Sequence, residues 1–250
     1  MNITQTFYDH LAASYDKLFQ DWYATTQEQA LLLDKLFRDA GFDTSARVLD
    51  CACGIGTQAI GLAKLGYRVT GSDISTGELA EAQKRAAETG VSIRLEQADF
   101  RTLSDTFPET FDIVIAMDNA LPHMLTKEDL AAAVRSIADR VKSGGIFVAS
   151  IRDYDALLMT KPFYSPPYIH KTESGQRVSF QTWDWEGDNY KLIQYIIEDG
   201  EYLQISKFPC EYRATRREEL TDLLLQEGCT VEWKFPEETG FYQPIVIARK

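Results

Sequence analysis

Two hydrophobic rhythms take turns along this chain. Short apolar runs of strand length stand at Val48–Cys51, Arg68–Ser72, Ser92–Gln97, Asp112–Met117 and Gly145–Ile151. Stretches with helical spacing separate them. Up to about Gly41 the chain reads as helical, with Leu31, Leu32, Leu33, Leu36 and Phe37 as its apolar stripe. Between the fourth and fifth runs, Leu130, Val134, Ile137, Ala138 and Val141 recur at helical intervals and are expected to face a sheet. Helix starts are marked by Ser75-x-x-Glu78, with Ile74 and Leu79 as a hydrophobic staple, by Thr126-x-x-Asp129, and by Thr215-x-x-Glu218. Glycines 41, 66, 90, 144 and 228 punctuate the joints between helices and strands. This alternation predicts a parallel sheet with helices on both faces. Two last runs, Val231–Phe235 and Tyr242–Ala248, flank Pro-Glu-Glu-Thr-Gly. They read as a hairpin that adds an antiparallel last strand and brings a mostly parallel, Rossmann-like α/β sheet to seven strands.

The alternation breaks between about residues 153 and 213. Pro162, Pro166 and Pro167 mark an irregular loop. Three strand-like runs follow, Val178–Trp185, Tyr190–Ile197 and Tyr202–Phe208, joined by turns at Gly187-Asp188-Asn189 and Asp199-Gly200. The segment predicts an antiparallel β cap inserted into a single domain of residues 1–250, with a helical segment, 1–41, at its start. Ligands of open α/β sheets sit above the carboxyl ends of the strands. A cap inserted after the fifth strand would roof that place.

Composition narrows the function. The 250 residues are 44% hydrophobic, enough for a substantial core. No apolar run approaches a membrane span, and the first residues do not read as a signal peptide, so the cytoplasm is the expected location. A formal net charge of -12 argues against nucleic acid and anionic membrane as partners. Cys51, Cys53, Cys210 and Cys229 form no Cys-x-x-Cys pair, and His10, His123 and His170 are scattered, so no zinc or other metal site is expected.

The chemistry concentrates at strand tips. Asp50-Cys51-Ala52-Cys53-Gly54-Ile55-Gly56 ends the first run and opens a helix. Glycines there let backbone N–H groups approach a ligand. Asp73, one strand later, can accept ribose hydroxyls. Asp99-Phe100 follows the third strand, where a carboxylate can accept an adenine amino group and a ring can cover its face. Gly54-x-Gly56-x-x-Ala59 also satisfies the loose NAD fingerprint. Asp50, however, would repel a pyrophosphate and welcome an ammonium group. No Lys or Arg lies between Asp50 and Ala63 to meet a phosphate. S-adenosylmethionine (SAM) is therefore the expected cofactor, with Ala52, Ile74 and Met117 completing its wall. A bare packed turn without ligand leaves three carboxylates at successive strand tips unexplained.

With these motifs the chain resembles class I SAM-dependent methyltransferases, and most closely the glycine N-methyltransferase family. Asp50–Gly56 is similar to that family's Asp-x-Ala-Cys-Gly-x-Gly turn. Asp118-Asn119-Ala120-Leu121-Pro122-His123 resembles its Gly-Asn-x-x-x-His segment, and Arg152-Asp153-Tyr154-Asp155 its Arg-x-Tyr-Asp segment. The resemblance implies that Arg152 grips a substrate carboxylate and that Asn119 bonds this carboxylate or the amine. It implies that Tyr154 and Tyr168 line the acceptor pocket, that Tyr15 and Trp22 close over SAM, and that the assembly is a homo-oligomer. The family holds the methionine carboxylate with an N-terminal arginine. This chain has no Arg before Arg38 and carries Gln27-Glu28-Gln29 there, so Gln side chains or backbone N–H groups are expected to replace it. Asp118 stands where the family has glycine.

The reaction implied is methyl transfer to the nitrogen of a small amine or amino acid of glycine or sarcosine type. It needs alignment and a deprotonated amine rather than a dedicated base. His123 reads as a structural histidine. A heterocyclic or aromatic metabolite as N- or O-acceptor is the alternative, followed by a non-catalytic SAM-binding or NAD-binding protein.

Overall fold

A computed structural model describes residues 3–173 and 175–250 of the chain. Met1 and Asn2 of the expected N-terminal segment, and Ser174 of the expected cap, lie outside the described residues.

The chain opens with α1 (Ile3–Leu11), a 3-10 stretch (Ala12–Leu18) and α2 (Trp22–Asp39). The helical start is thus broken. Asp21 caps α2 by accepting from the Ala24 amide at 3.1 Å, and this restarts the helix without a glycine or proline in the sequence. The main sheet is built from β1 (Arg47–Asp50), β2 (Arg68–Asp73), β3 (Arg94–Gln97), β4 (Phe111–Ala116) and β5 (Val141–Ser150). Between them run α3 (Thr57–Lys64), α4 (Thr76–Thr89) and α5 (Lys127–Arg140). After β5 come the short α6 (Tyr154–Thr160) and four strands of a second sheet: β6 (Tyr168–Thr172), β7 (Gly175–Glu186), β8 (Asn189–Asp199) and β9 (Leu203–Arg213). The chain then returns through α7 (Arg217–Gln226), β10 (Thr230–Lys234), the single turn α8 (Pro236–Thr239) and β11 (Ile245–Arg249).

The seven main strands lie in the order β10-β11-β5-β4-β1-β2-β3. Only β11 runs against its neighbours, pairing antiparallel with both β10 and β5. The strand order reverses between β1 and β4, and this is the switch point that places a ligand above the tips of β1, β2 and β4. Both faces are covered, so alternate positions of one strand feed two cores. Leu49, Val114 and Phe147 pack with Leu130, Val134 and Ile137 of α5. Val48, Ile113 and Val148 pack on the other side with Leu33 and Phe37 of α2.

Several local expectations are corrected. The α2 stripe is Ala30, Leu33, Leu36 and Phe37, as expected for the last three, while Leu31 is 59% exposed. Gly144 does not end a helix. Phe111 pairs with Val141 and Ile113 with Ile146, so residues 142–145 bulge out of β5, and Gly144 sits there at φ +78°. Thr215 does not cap α7; its hydroxyl turns back to the Arg213 carbonyl, and Arg216 holds the cap position without a side-chain bond. The expected hairpin turn is the helical turn α8, closed by Glu238 accepting the Phe235 amide at 2.9 Å. The second sheet has four strands in the order β6-β7-β8-β9, not three.

Candidate active site

The turn after β1 is wound by two glycines in the left-handed region, Gly54 at φ +51° and Gly56 at φ +92°. A Cβ on Gly56 would meet Ile60 Cδ1 at 2.7 Å, and one on Gly54 would meet Glu78 Oε2 at 3.1 Å. The Gly54 amide donates to Asp73 Oδ2 at 2.9 Å, and the Ser75 amide to Asp73 Oδ1 at 2.9 Å. Asp73 is thereby locked at the tip of β2, with some acceptor capacity left on its carboxylate. Asp50, at the tip of β1, is fully buried; its Oδ1 takes the Ala52 amide at 3.3 Å and its Oδ2 has no partner. Burial pushes its carboxyl up to about 8.

A cavity of about 390 Å³ opens in front of this turn, in the size range of small-molecule sites. Ala52, Gly54, Asp73, Ile74, Asp99, Phe100 and Met117 all line it, and Ile3, Thr4, Tyr8 and Tyr15 from the N-terminal segment lie across it. Arg101 forks the Asp99 carboxylate at 2.6–3.1 Å and reaches Asp129 at 2.7 Å. Asp99 is therefore a braced acceptor rather than a free one. His123 also lines this cavity. Its Nε2 shares a hydrogen bond of 2.8 Å with the Tyr8 hydroxyl, its ring lies 4.1 Å from that of Tyr212, and burial pulls its pKa down to about 3. It is a neutral, packed histidine.

A second, larger cavity of about 810 Å³ lies between the N-terminal segment, the tips of β4 and β5, and the four-stranded sheet. Arg152 is on its wall. Its guanidinium donates to the Tyr190 hydroxyl at 3.0 Å and to Gln181 Oε1 at 2.9 Å, and lies 5.2 Å from the Trp183 ring. Neighbouring carboxylates are drawn elsewhere: Arg217 pairs with Asp153 at 2.6 Å and with Asp155 at 3.0 Å. Among the described residues no carboxylate comes within ion-pair distance of Arg152. Gln181 passes the polarity on to Gln194 at 2.8 Å, and Gln194 donates to the carbonyls of Phe180 and Tyr195.

The two cavities share Tyr8, Tyr15 and Asp118. Asp118 and Asn119 are consecutive left-handed residues, at φ +55° and +71°. Such strain costs about 1–2 kcal/mol per residue and concentrates at functional sites. It is held by cross-bracing of the strand tips: the Asp118 amide donates to Ser150 Oγ at 2.8 Å, the Asn119 amide to the Ser150 carbonyl at 3.1 Å, and the Arg152 amide to Asn119 Oδ1 at 3.1 Å. Asn119 Nδ2 is buried without a partner.

Tyr15, Asn119, Arg152 and Tyr168 thus meet at the larger cavity. Trp22, Asp50, Gly56 and Tyr154 are on neither wall. Trp22 is core: its indole N–H donates to Thr57 Oγ1 at 3.0 Å and Arg85 stacks on its ring, so it supports α3 from beneath. Tyr154 is fully buried behind Arg152, sharing a 2.9 Å hydrogen bond with Tyr190. Gln29 lines the larger cavity and accepts from Gln58 Nε2 at 2.6 Å, which makes it the part of Gln27-Glu28-Gln29 that reaches the site. Sequence reading missed Tyr8, Gln58, Gln181, Gln194 and Tyr242. They come from separate elements, and a lone glutamine or tyrosine in a helix, a strand or a loop carries no motif. The one available signal was polar Gln58 among the apolar residues of α3.

The residues fit SAM. Asp73 could accept the ribose hydroxyls and Asp99 the adenine amino group, the field of Asp50 could meet an ammonium, and the turn offers no cation to a phosphate. Comparison with known proteins decides the family. A profile described as a methyltransferase domain matches residues 48–145. A glycine/sarcosine N-methyltransferase of Parasynechococcus marenigrum is 30% identical over 218 residues, covering 85% of this chain and 73% of that protein. The chain belongs to the class I SAM-dependent methyltransferases. This methyltransferase is also 32% identical over 150 residues to a ubiquinone biosynthesis O-methyltransferase of Alkalilimnicola ehrlichii, covering 57% of this chain and 59% of that one. A SAM-bound amino pentose methyltransferase from Micromonospora echinaspora superposes with a TM-score of 0.78 at 21% identity, covering 95% of each chain, which shows the shared fold. No helix among the described residues is long and apolar enough to cross a membrane.

Proposed function

We propose that this methyltransferase moves the methyl group of SAM to the nitrogen of a small amine that also carries an acidic group, an amino acid of the glycine or sarcosine kind or a longer one. One observation carries the reading: the Arg152 guanidinium stands half-buried on the wall of the larger cavity with no carboxylate to neutralise it. A cation drawn partly out of water without a counter-ion is costly, and a bound carboxylate offsets that through charge-assisted bonds. Only two of the five guanidinium N–H donors are taken by protein groups.

Bound SAM supplies a methyl group already activated by its sulfonium. The protein has to bring acceptor and methyl into line and keep water out. Tyr15 and Tyr8 stand at the junction of the two cavities, where the reacting atoms must meet. Asn119 lines the larger cavity beside that junction, and we place Tyr168 at its outer side. We read the N-terminal segment as the cover of the cofactor and the four-stranded sheet as the acceptor's roof. Positioning of this kind lowers a barrier by up to about 7–11 kcal/mol in well-oriented systems. A hydroxylated aromatic acceptor is the second reading, favoured by Trp183 and Tyr168 on the wall of the larger cavity and by the O-methyltransferase relative.

An acceptor screen with labelled SAM and mass detection separates them: amino acids gain the labelled methyl at nitrogen, or phenols gain it at oxygen. For the preferred amino acid, Arg152→Ala should lower kcat/KM by about 10–100-fold, the worth of a charge-assisted bond, and change the SAM Kd less than about threefold. Inert amino acids beside a methylated phenol, or equal losses in both constants, would overturn the proposal.

A further inference from the structure

We propose that Asp118 receives the ammonium group of the acceptor and takes its proton, so that the acceptor is a dipolar molecule held between Asp118 at one end and Arg152 at the other. This rests on the amine reading above and names the group that prepares the nitrogen.

Of the three residues common to both cavities, Tyr8, Tyr15 and Asp118, only Asp118 carries a carboxylate. Its Oδ1 accepts the Tyr242 hydroxyl at 2.7 Å and its Oδ2 accepts Gln58 Nε2 at 2.8 Å. The carboxylate is thus pinned from two sides. Two of its four acceptor positions stay open. Among the described residues no Lys or Arg pairs with it. The same cavity therefore holds a half-buried carboxylate without a cation and a half-buried guanidinium without an anion, and the two form no ion pair with each other. A ligand with one charge satisfies half of this arrangement, and a zwitterion satisfies all of it. The left-handed backbone adds to the point. An aspartate is kept at φ +55°, where glycine rests without strain, so the side chain is what the position retains.

The groups facing Asp118 are Tyr15 from the N-terminal segment, Gln58 from α3, Asp50 at the tip of β1, Tyr242 before β11, and Arg152 across the cavity. Burial raises the carboxyl, and the bonds from Tyr242 and Gln58 pull against that rise, which leaves a group able to carry a proton during turnover. The step balances. The ammonium passes one proton to an Asp118 oxygen and regains its lone pair. The nitrogen then forms the N–C bond while the C–S bond breaks, and that electron pair stays on sulfur as the neutral thioether. The methylated ammonium leaves, and Asp118 returns its proton to solvent.

Asp118→Asn removes the charge at nearly constant shape, and Asp118→Gly relieves the backbone should the first variant misfold. The probes are glycine, sarcosine and linear ω-amino acids of up to six carbons, each beside its deaminated acid. Rates are read as kcat/KM against pH, and binding by calorimetry to enzyme saturated with S-adenosylhomocysteine. For the preferred amine, both variants should lose about 100-fold or more in kcat/KM, and the remaining rate should rise with pH as the free amine deprotonates. The SAM Kd should stay within about threefold of wild type. In the wild type the amine should bind at least about tenfold more tightly than its deaminated acid, and in the variants this preference should vanish. Losses below about threefold in both variants, or a SAM Kd weakened in step with kcat/KM, would overturn the role of Asp118 while amine methylation stands. A wild type that methylates only hydroxyl groups overturns both readings.

Discussion

At Asp50 a single side chain would link cofactor binding to pH. It stands one layer behind the cavity wall, with Ala52 between, fully buried and with one oxygen unpartnered. In the free protein, burial keeps it protonated up to about pH 8. A nearby ammonium favours the ionised form, so binding below that pH has to expel a proton. Each unit of rising pH lightens that cost, by about 1.4 kcal/mol at full coupling. SAM affinity should therefore tighten several-fold from pH 6 to pH 7.5, where the ligand's own ammonium is still charged. Asp50→Asn should weaken binding and flatten the slope. Calorimetry across that range tests it, and a wild-type slope that survives in the variant would assign the effect to another group. The three carboxylates Asp50, Asp73 and Asp99 were legible because each ends an apolar run, a pattern that requires no knowledge of the fold. Gln58, Gln181 and Tyr242 were not. Their role exists only once α3, β7 and the segment before β11 converge, and each side chain on its own is unremarkable in its element.

Among elements, the docking of α1 on α4 has the clearest consequence. Asp9 of α1 places Oδ1 at the start of α4, accepting from Ser75 Oγ at 2.6 Å and from the Gly77 amide at 3.0 Å. Ser75 in turn accepts the Glu78 amide at 3.1 Å. The Glu78 carboxylate does not close the expected capping box; it lies inward, under Gly54, with both oxygens unpartnered. An acid from a different helix thus serves the positive end of α4 and ties down the segment that carries Tyr8 and Tyr15. Gly77 suits this fit, since a Cβ there would meet Asp9 Cα at 3.1 Å, closer than most side chains pack. Asp9→Ala should cost about 1 kcal/mol, the usual worth of a cap, and weaken SAM about fivefold by loosening its cover. Gly77→Ala should do the same by pushing α1 away. Limited proteolysis near residues 12–21, with and without SAM, reads the loosening directly, and unchanged cleavage would refute it. The order of the main elements followed from periodicity because strands buried on both faces stand out from amphipathic helices. β6 did not, since Tyr168 and Ile169 are 65% and 63% exposed on a sheet edge and show no alternation. The break before α2 was equally silent, because a capping aspartate looks like any surface acid.

At the scale of the whole molecule, the acids with displaced pKa values fall into two groups with opposite effects on stability. Asp34 and Asp129 are held below the usual carboxylate range by their hydrogen bonds with Arg38 and Arg101. The stability they contribute is present above about pH 4 and is lost as pH falls further. Asp50, Asp73, Glu78 and Asp118 are pushed up, chiefly by burial at the ligand site. Their folded forms hold protons that the unfolded chain releases near pH 4. The stability tied to those protons is full below that point and fades as pH rises through the folded values, reaching about 8 for Asp50. A net charge of -12 adds repulsion in the same direction. The two trends cross, so the ligand-free protein should be most stable near pH 5 and lose Tm steadily toward pH 8. Glu78 isolates the cause, because its carboxylate has no hydrogen-bond partner to lose. Glu78→Gln should leave the Tm at pH 5 nearly unchanged and raise it at pH 8 by several degrees, at about 2–4 °C per kcal/mol for a chain of this size. Scanning calorimetry of both proteins at the two pH values is sufficient. A wild-type Tm that climbs from pH 5 to pH 8, or a variant equally shifted at both, would mean that the strand-tip acids are already ionised in the empty site, and that ligand binding rather than proton release is what they are arranged to meet.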